Sequence, residues 1–183
     1  MNRRNSKKKI ALFGTVKILV FASLLFALSG VLKLIAPSSD VMRISFENFP
    51  IIFSGIVLGP YVACAVGIVS DLLGCLFRGY AIMPLITLAS MTVGLTSGIA
   101  YKLFRKKNMA SVFVSTFAAH IVGNIVIKTF VLSDAFGTPI GVLFVERLGI
   151  YLVTALLEAT IIWILYKNKA IKNGLKRVID DEL

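Results

Sequence analysis

Long apolar segments alternate with short polar or basic segments along the whole chain. A helix that crosses about 30 Å of hydrocarbon needs roughly 20 mostly apolar residues, and most of these segments reach that length. Pro and Gly residues mark several of the breaks between them. The pattern predicts an all-α membrane protein, a bundle of six transmembrane helices. The predicted helices cover residues 10–36, 47–58, 60–77, 82–104, 110–132 and 139–166.

The charged residues refine this picture. Most of the 20 Lys and Arg residues lie in the segments 3–9, 102–107 and 167–177. Basic segments that flank membrane helices remain on the cytoplasmic side, so both termini are predicted to be cytoplasmic. The net charge of +11 is therefore a signal of topology rather than of nucleic-acid binding. Because 57% of the residues are apolar, residues 1–183 are predicted to form a single integral membrane domain with short basic tails.

The second predicted helix is too short to cross the membrane, since each residue adds only about 1.5 Å. It must tilt, or leave part of the outer layer to the preceding loop. Backbone at membrane depth has to be buried in protein or line a cavity, because lipid cannot satisfy its hydrogen bonds. The short helix therefore predicts a pocket beneath the loop of residues 37–46.

Two helices carry polar side chains at helical spacing. His120, Asn124 and Lys128 follow one another four residues apart, which places them on one face of the fifth helix. Arg147 and Tyr151 share a face of the sixth helix in the same way. Ionisable side chains in membrane helices are costly, and they normally face the bundle interior or form a site.

Asp71 and Arg78 of the third helix are predicted to lie in the outer half of the bundle, as Lys128 and Arg147 are. We interpret the whole set of polar residues as one polar pocket. Glu158 lies deeper, and a structural pairing with Lys17 or another neighbour is expected for it. The alternative interpretation is that these groups only hold the helices together. Such hydrogen bonds contribute about 0.6 kcal/mol each on average, which is a weak reason for so many costly residues.

The sequence offers little for catalysis. It has one His, which argues against a histidine-ligated metal site, and it shows no nucleophile or phosphate-loop motif. We therefore predict that the protein is not an enzyme and binds no metal or cofactor. An intramembrane enzyme that uses His120 with Asp71 or Glu158 remains an alternative, as does a structural scaffold in a membrane complex.

Small residues recur four apart on the first helix, as the pairs Ala11 with Thr15 and Ser23 with Ala27. Small residues let helices approach closely in membranes. This face either docks a partner membrane protein or packs within its own bundle.

An ordered series of residues between about positions 40 and 100 resembles the folate-type substrate-binding S components of energy-coupling factor (ECF) vitamin transporters. The likeness is carried by Arg43-Ile44-Ser45-Phe46, Pro50, Gly55, Gly59-Pro60, Gly67, Asp71-Leu72-Leu73-Gly74, Gly79-Tyr80, Pro84, Thr87-Leu88 and Gly94. It implies a six-helix protein of a prokaryotic plasma membrane that captures a vitamin from outside. It also implies two kinds of partner, a transmembrane coupling subunit and two cytoplasmic ATPases. The first-helix residues named above would be the docking face.

A folate site needs an apolar slot for the flat pterin, hydrogen-bonding groups at the pterin edge, and cations for the two carboxylates of the tail. The candidates for the apolar slot are Phe46, Phe49, Tyr80 and Met83. Those for the pterin edge are Asp71, Asn124 and His120, and those for the tail carboxylates are Arg43, Arg78, Lys128 and Arg147. Tyr151 completes the set. These cations outnumber Asp71 and Glu146, which favours a dianionic ligand over riboflavin, thiamine or pantothenate, the alternatives within the same architecture.

Overall fold

The computed structural model describes residues 16–35, 46–79, 81–169, 171 and 173–174. Several predictions fall outside this part of the chain. They concern the amino-terminal basic cluster, most of the loop before the second helix, and the individual residues Ala11, Thr15, Arg43 and Tyr80.

The described residues form six helices and no strand. Five are long and apolar enough to cross a membrane, so the chain is a multi-pass membrane protein. Their outward faces carry large apolar side chains such as Leu24 and Val153, each more than half exposed, as expected for a surface that contacts lipid. The helices are α1 Val16–Ile35, α2 Asn48–Val57, α3 Pro60–Arg78, α4 Pro84–Leu103, α5 Met109–Phe136 and α6 Ile140–Lys167.

The helix boundaries follow local signals in the sequence. Pro60 and Pro84 occupy the first turns of α3 and α4, where the missing N–H costs nothing. Asn108 and Ser111 cap α5 reciprocally, because each side chain accepts a hydrogen bond from the backbone N–H of the other. Gly79 ends α3 in the left-handed conformation.

The predicted end of the fifth helix at residue 132 is wrong. The helix continues through the polar residues Ser133 and Asp134 to Phe136 and ends at Gly137, whose φ is 64°. The Ser133 hydroxyl donates to the Thr138 carbonyl, 2.8 Å away. This bond explains how a polar residue fits inside the last turn, and the connection to the next helix is reduced to residues 137–139.

α4 lies at the centre of the bundle, against α2, α3 and α5. Ser90, Gly94 and Gly98 repeat four residues apart along it, which brings neighbouring backbones close. A Cβ at Gly94 would overlap the Ala63 carbonyl of α3, and one at Gly98 would overlap Pro60. The contact between α3 and α4, which we call the glycine seam, is therefore made by backbone as much as by side chains.

α2 has only ten residues, which corresponds to about 15 Å, half of the hydrocarbon thickness. Eight of those residues are buried, so the helix lies inside the bundle. At its carboxyl end, a Cβ at Gly59 would be 3.6 Å from the Lys102 amine. The α2–α3 turn thus shares one end of the bundle with the basic connection before α5, and the first turn of α2 lies near mid-depth.

Candidate functional site

Charged and polar side chains are buried where α1, α2, α3, α5 and α6 meet. We call this set the polar cluster, and it surrounds the first turn of α2. Its members are Lys33, Glu47, Asn48, Asp71, His120, Asn124, Lys128, Thr129, Arg147 and Glu158, none more than 9% exposed. Buried ionisable groups in membrane helices mark sites or specific pairings, so their contacts decide between the two.

Both carboxylate oxygens of Asp71 accept hydrogen bonds from protein groups. Its Oδ1 accepts from the Lys33 amine at 2.7 Å, and its Oδ2 accepts from the Thr87 hydroxyl at 2.8 Å. The Lys33 stem crosses Gly74, where any Cβ would overlap it. The structure therefore gives Asp71 a role in joining α1, α3 and α4, whereas the sequence assigned it to the pterin edge.

Sequence reasoning did not include Lys33 among the site residues. A charged residue inside a predicted membrane helix is itself a signal, but Lys33 lies close enough to the end of the first helix to reach the surface. The structure turns it inward instead, toward Asp71.

Arg78 contacts the backbone at the end of α1. Its guanidinium donates to the carbonyls of Lys33 and Leu34, the latter at 3.1 Å, in the last turn of α1. These carbonyls have no partner within the helix. Arg78 therefore caps α1, which differs from the predicted role of holding a ligand carboxylate.

Lys128 approaches Glu47, with 3.6 Å between the amine and Oε1. Glu47 precedes α2, and its backbone carbonyl accepts from the Ser29 hydroxyl of α1 at 2.7 Å. Glu47 was missing from the predicted site, although a carboxylate at the start of an apolar helix was a visible signal. Asp71 also attracts Lys128, while Lys33 and Arg147 repel it.

The polar cluster holds equal numbers of buried cations and carboxylates. Its buried cations are Lys33, Lys128 and Arg147, and its buried carboxylates are Glu47, Asp71 and Glu158. The predicted excess also counted Arg78, which binds the end of α1, and Arg43, which lies outside the described residues, so it stays a prediction. Within the described cluster, attraction of an anion depends on the placement of individual groups.

Arg147 is the cation of the polar cluster that makes no ion pair with a described carboxylate. Its Nη1 donates to the Asn124 carbonyl at 3.2 Å, and its guanidinium lies 5.9 Å from the centre of the Tyr151 ring. Its Nε has no hydrogen-bond partner in the described part of the chain. Since buried donors are normally satisfied, this donor is a candidate for contact with a ligand.

His120, Asn124 and Glu158 form a hydrogen-bonded chain. His120 Nε2 is 2.7 Å from a Glu158 oxygen, and His120 Nδ1 is 3.0 Å from the Asn124 amide nitrogen. The neighbour expected for Glu158 is thus His120. The Tyr151 ring lies 5.4 Å from the imidazole. The Asn124 Oδ1 has no partner among the described residues.

The middle of α5 is a π-helix, His120–Ile127, in which the hydrogen bonds span five residues. The sequence predicted an ordinary helix with three polar residues stacked four apart. The wider turns keep His120 against Asn124 and direct Lys128 toward α2. π-Helical turns are rare and occur frequently at functional sites.

The predicted aromatic slot is only partly within the described chain. Phe49 stacks on Phe53 with 6.1 Å between ring centres and packs against the apolar core. Phe46 and Met83 are half-buried at the starts of α2 and α4. On α1, Ser23 and Ala27 are exposed on the outward face.

The all-helical membrane fold and its buried polar cluster define an integral membrane protein of the transport class, and a family comparison names it. The profile described as "ECF transporter, substrate-specific component" matches residues 17–176. The chain belongs to this family, which confirms the family identified from the sequence resemblance.

Individual relatives agree with this membership. The chain is 27% identical over 135 residues to the folate transporter FolT of Clostridium novyi (strain NT), which covers 73% of this chain and 78% of that protein. The crystal structure of FolT bound with folic acid matches with a TM-score of 0.71 at 23% identity, over 82% of this chain and 93% of that one. The S component of a bacterial ECF transporter matches with a TM-score of 0.64 at 24% identity, over 87% and 97%.

Proposed function

We propose that this substrate-specific component binds folate in the outer half of its bundle and delivers it inward. The observation that carries the proposal is a buried donor and a buried acceptor on two residues in contact, Arg147 Nε and Asn124 Oδ1, neither atom with a described protein partner. A pterin edge alternates donors and acceptors, so it can satisfy both groups at once. The similarity to the FolT of Clostridium novyi supports folate over other vitamins.

Arg147 contacts the Asn124 backbone, so we now assign both residues to the pterin end of the ligand. This differs from the sequence-based assignment of Arg147 to the glutamate tail. Lys128 lies one turn further along α5, at the end of the π-helix, and remains the candidate for the tail carboxylates.

The primary test is calorimetry of folate binding to the detergent-solubilised protein. Arg147→Met should weaken binding at least about tenfold, equivalent to about 1.4 kcal/mol, and should weaken binding of a free pterin equally. Arg105→Met is the matched control, because Arg105 is exposed on the basic connection before α5. Unchanged folate affinity in Arg147→Met would remove Arg147 from the site.

Mass spectrometry of small molecules released from the purified, denatured protein tests ligand identity directly. Folate or a reduced folate is the expected result. Riboflavin, thiamine or pantothenate would retain the architecture and reject the proposed substrate.

We also propose that the chain crosses a prokaryotic plasma membrane with both termini in the cytoplasm, and that α2 lies in the inner half. The turn at Gly59 and the basic Lys102 lie at the same end of the bundle. This supports the orientation, because basic residues remain on the cytoplasmic side. With the free Cys64 and Cys75 replaced by Ala, single cysteines at Lys106 and Thr138 should react with an impermeant thiol reagent from the inside and the outside, respectively. Reaction of both from one side would contradict the topology.

The proposed partners are a transmembrane coupling subunit and two cytoplasmic ATPases. The exposed Ser23 and Ala27 of α1 support docking there, since small residues permit close approach of a second helix. Ala27→Phe should prevent copurification of the coupling subunit while folate binding persists. Copurification at the wild-type level would argue against this face.

A further inference from the structure

We propose that Glu158 and His120 are positioning residues that act through Asn124, fixing its amide so that the oxygen faces an N–H donor of the ligand. The proposal rests on the folate-binding function proposed above and deepens it. It assigns the ligand contact to Asn124 and places His120, which the sequence assigned to the pterin edge, behind it.

The chain of hydrogen bonds begins at Glu158. The Asn124 NH₂ faces the imidazole Nδ1, so Nδ1 accepts and the hydrogen of the neutral ring lies on Nε2. Nε2 donates this hydrogen to the Glu158 oxygen 2.7 Å away. Glu158 is completely buried, and its acceptor oxygen fixes which ring nitrogen carries the hydrogen.

The position of the hydrogen on the imidazole determines the orientation of the Asn124 amide. In a neutral ring with hydrogen on Nε2, Nδ1 is an acceptor and must face a donor. The Asn124 amide NH₂ supplies that donor at 3.0 Å. The amide oxygen consequently points away from the ring.

The series of hydrogen bonds ends at the amide oxygen of Asn124, an acceptor that no described residue satisfies. Asn124 is completely buried, and its Oδ1 has no hydrogen-bond partner in the part of the chain described. A buried acceptor of this kind is normally paired. An N–H or NH₂ group on a flat ligand, such as the amino group of a pterin, pairs with it, whereas a ligand edge with only acceptors is rejected.

The wild-type protein allows a direct test because His120 is its only histidine. With ¹⁵N-labelled histidine and an affinity tag that contains none, the ring nitrogens give the signals of one residue. We expect a neutral ring with hydrogen on Nε2, with and without folate. An imidazolium, or a ring with hydrogen on Nδ1, would overturn the proposal because the Asn124 oxygen would then face the ring.

Two substitutions of Glu158 separate positioning from packing. Glu158→Gln keeps an acceptor oxygen for His120, so the same ring form and a folate affinity within about threefold of wild type are expected. Glu158→Leu removes the acceptor, so a mixture of ring forms and at least about tenfold weaker binding are expected. Thr154→Val is the control on the same helix, because that buried hydroxyl bonds only the Ile150 carbonyl of its own helix at 3.0 Å.

Each failure has a distinct signature. A wild-type protein that binds no folate overturns the proposed function, while the histidine spectrum still reports the ring form. Folate binding that survives Glu158→Leu unchanged overturns the positioning role alone. If that variant does not fold, Asn124→Ala decides: we expect a tenfold loss or more with the ring form retained, since Glu158 is still present. Wild-type affinity in Asn124→Ala would contradict the proposal.

Discussion

The glycine seam and the polar cluster are adjacent regions of one bundle, and they are built from opposite kinds of residue. In the seam, backbone meets backbone at Gly67, Gly94 and Gly98, with no room for a methyl group. In the cluster, long charged side chains reach across the helix interfaces to one another. The seam holds helices together by shape, and the cluster holds groups that cost stability to bury.

The two regions are expected to contribute differently, the glycine seam to stability and the polar cluster to binding. Close packing of small residues gains dispersion energy in lipid without any polar group. A buried ion pair, by contrast, roughly offsets its own desolvation, so it contributes little unless it serves a ligand or fixes a geometry. Substitutions in the seam should therefore reduce the stability of the fold, whereas replacing both partners of a cluster ion pair by apolar residues should leave the stability nearly unchanged.

The largest effect is expected in the seam. Gly94→Val places a branched side chain against the Ala63 carbonyl of α3, which the backbone cannot avoid without moving a helix. The free energy of unfolding in detergent should fall by about 3 kcal/mol or more. Gly149→Ala is the control, because nothing lies within 4 Å of its Cβ position. Equal stability of the two variants would remove the contrast between the regions.

A smaller effect is expected where the cluster joins α1 to α3. Lys33→Met leaves the Asp71 carboxylate buried without its cation, although the Thr87 hydroxyl still donates to it, so the free energy of unfolding should fall by about 2 kcal/mol. Adding Asp71→Leu should restore most of this loss, with folate affinity within about threefold of wild type.

Double-mutant analysis of thermal unfolding and of folate binding checks this pair. If the double variant regains stability but loses folate binding, Asp71 belongs to the ligand site. Single variants as stable as the wild type would show that the ion pair contributes nothing to joining the helices.

The smallest effect concerns the anchor of α2. Ser29→Ala removes the hydrogen bond to the Glu47 carbonyl and should lower the free energy of unfolding by about 1 kcal/mol. Ser23→Ala is the matched control on α1, because its exposed hydroxyl bonds only the Leu19 carbonyl of the same helix. Chemical denaturation resolves the pair, and indistinguishable midpoints would mean that this bond does not anchor α2.

Much of the fold could be predicted because its signals are local. The apolar runs, with Pro60 and Pro84 in the first turns, placed most helix ends within two residues of the observed positions. The end of α5 was misplaced because a polar Ser133 normally signals a loop, and here a single hydrogen bond to Thr138 satisfies it.

The polar contacts were less accessible to sequence reasoning because they depend on which helices meet. The i, i+4 spacing correctly brought His120 beside Asn124. Nothing in that spacing distinguishes an α-helix from a π-helix, so the course of α5 beyond Asn124 could not be foreseen. The pairing of Lys128 with Glu47 needs α2 to begin at mid-depth, which is a tertiary feature.

The π-helix in α5 gives this segment a tolerance to changes in chain length. A π-helical residue turns the chain by less than the roughly 100° of an α-helical residue, so losing one residue between positions 120 and 127 would let the helix return to regular α geometry with most of its rotation preserved. Losing a residue elsewhere in α5 has no such compensation, and it would rotate Lys128 and Thr129, now buried, toward the positions of lipid-facing neighbours such as Phe130. Deletions of a single codon should therefore be better tolerated inside the π-helix than in the regular turns beside it.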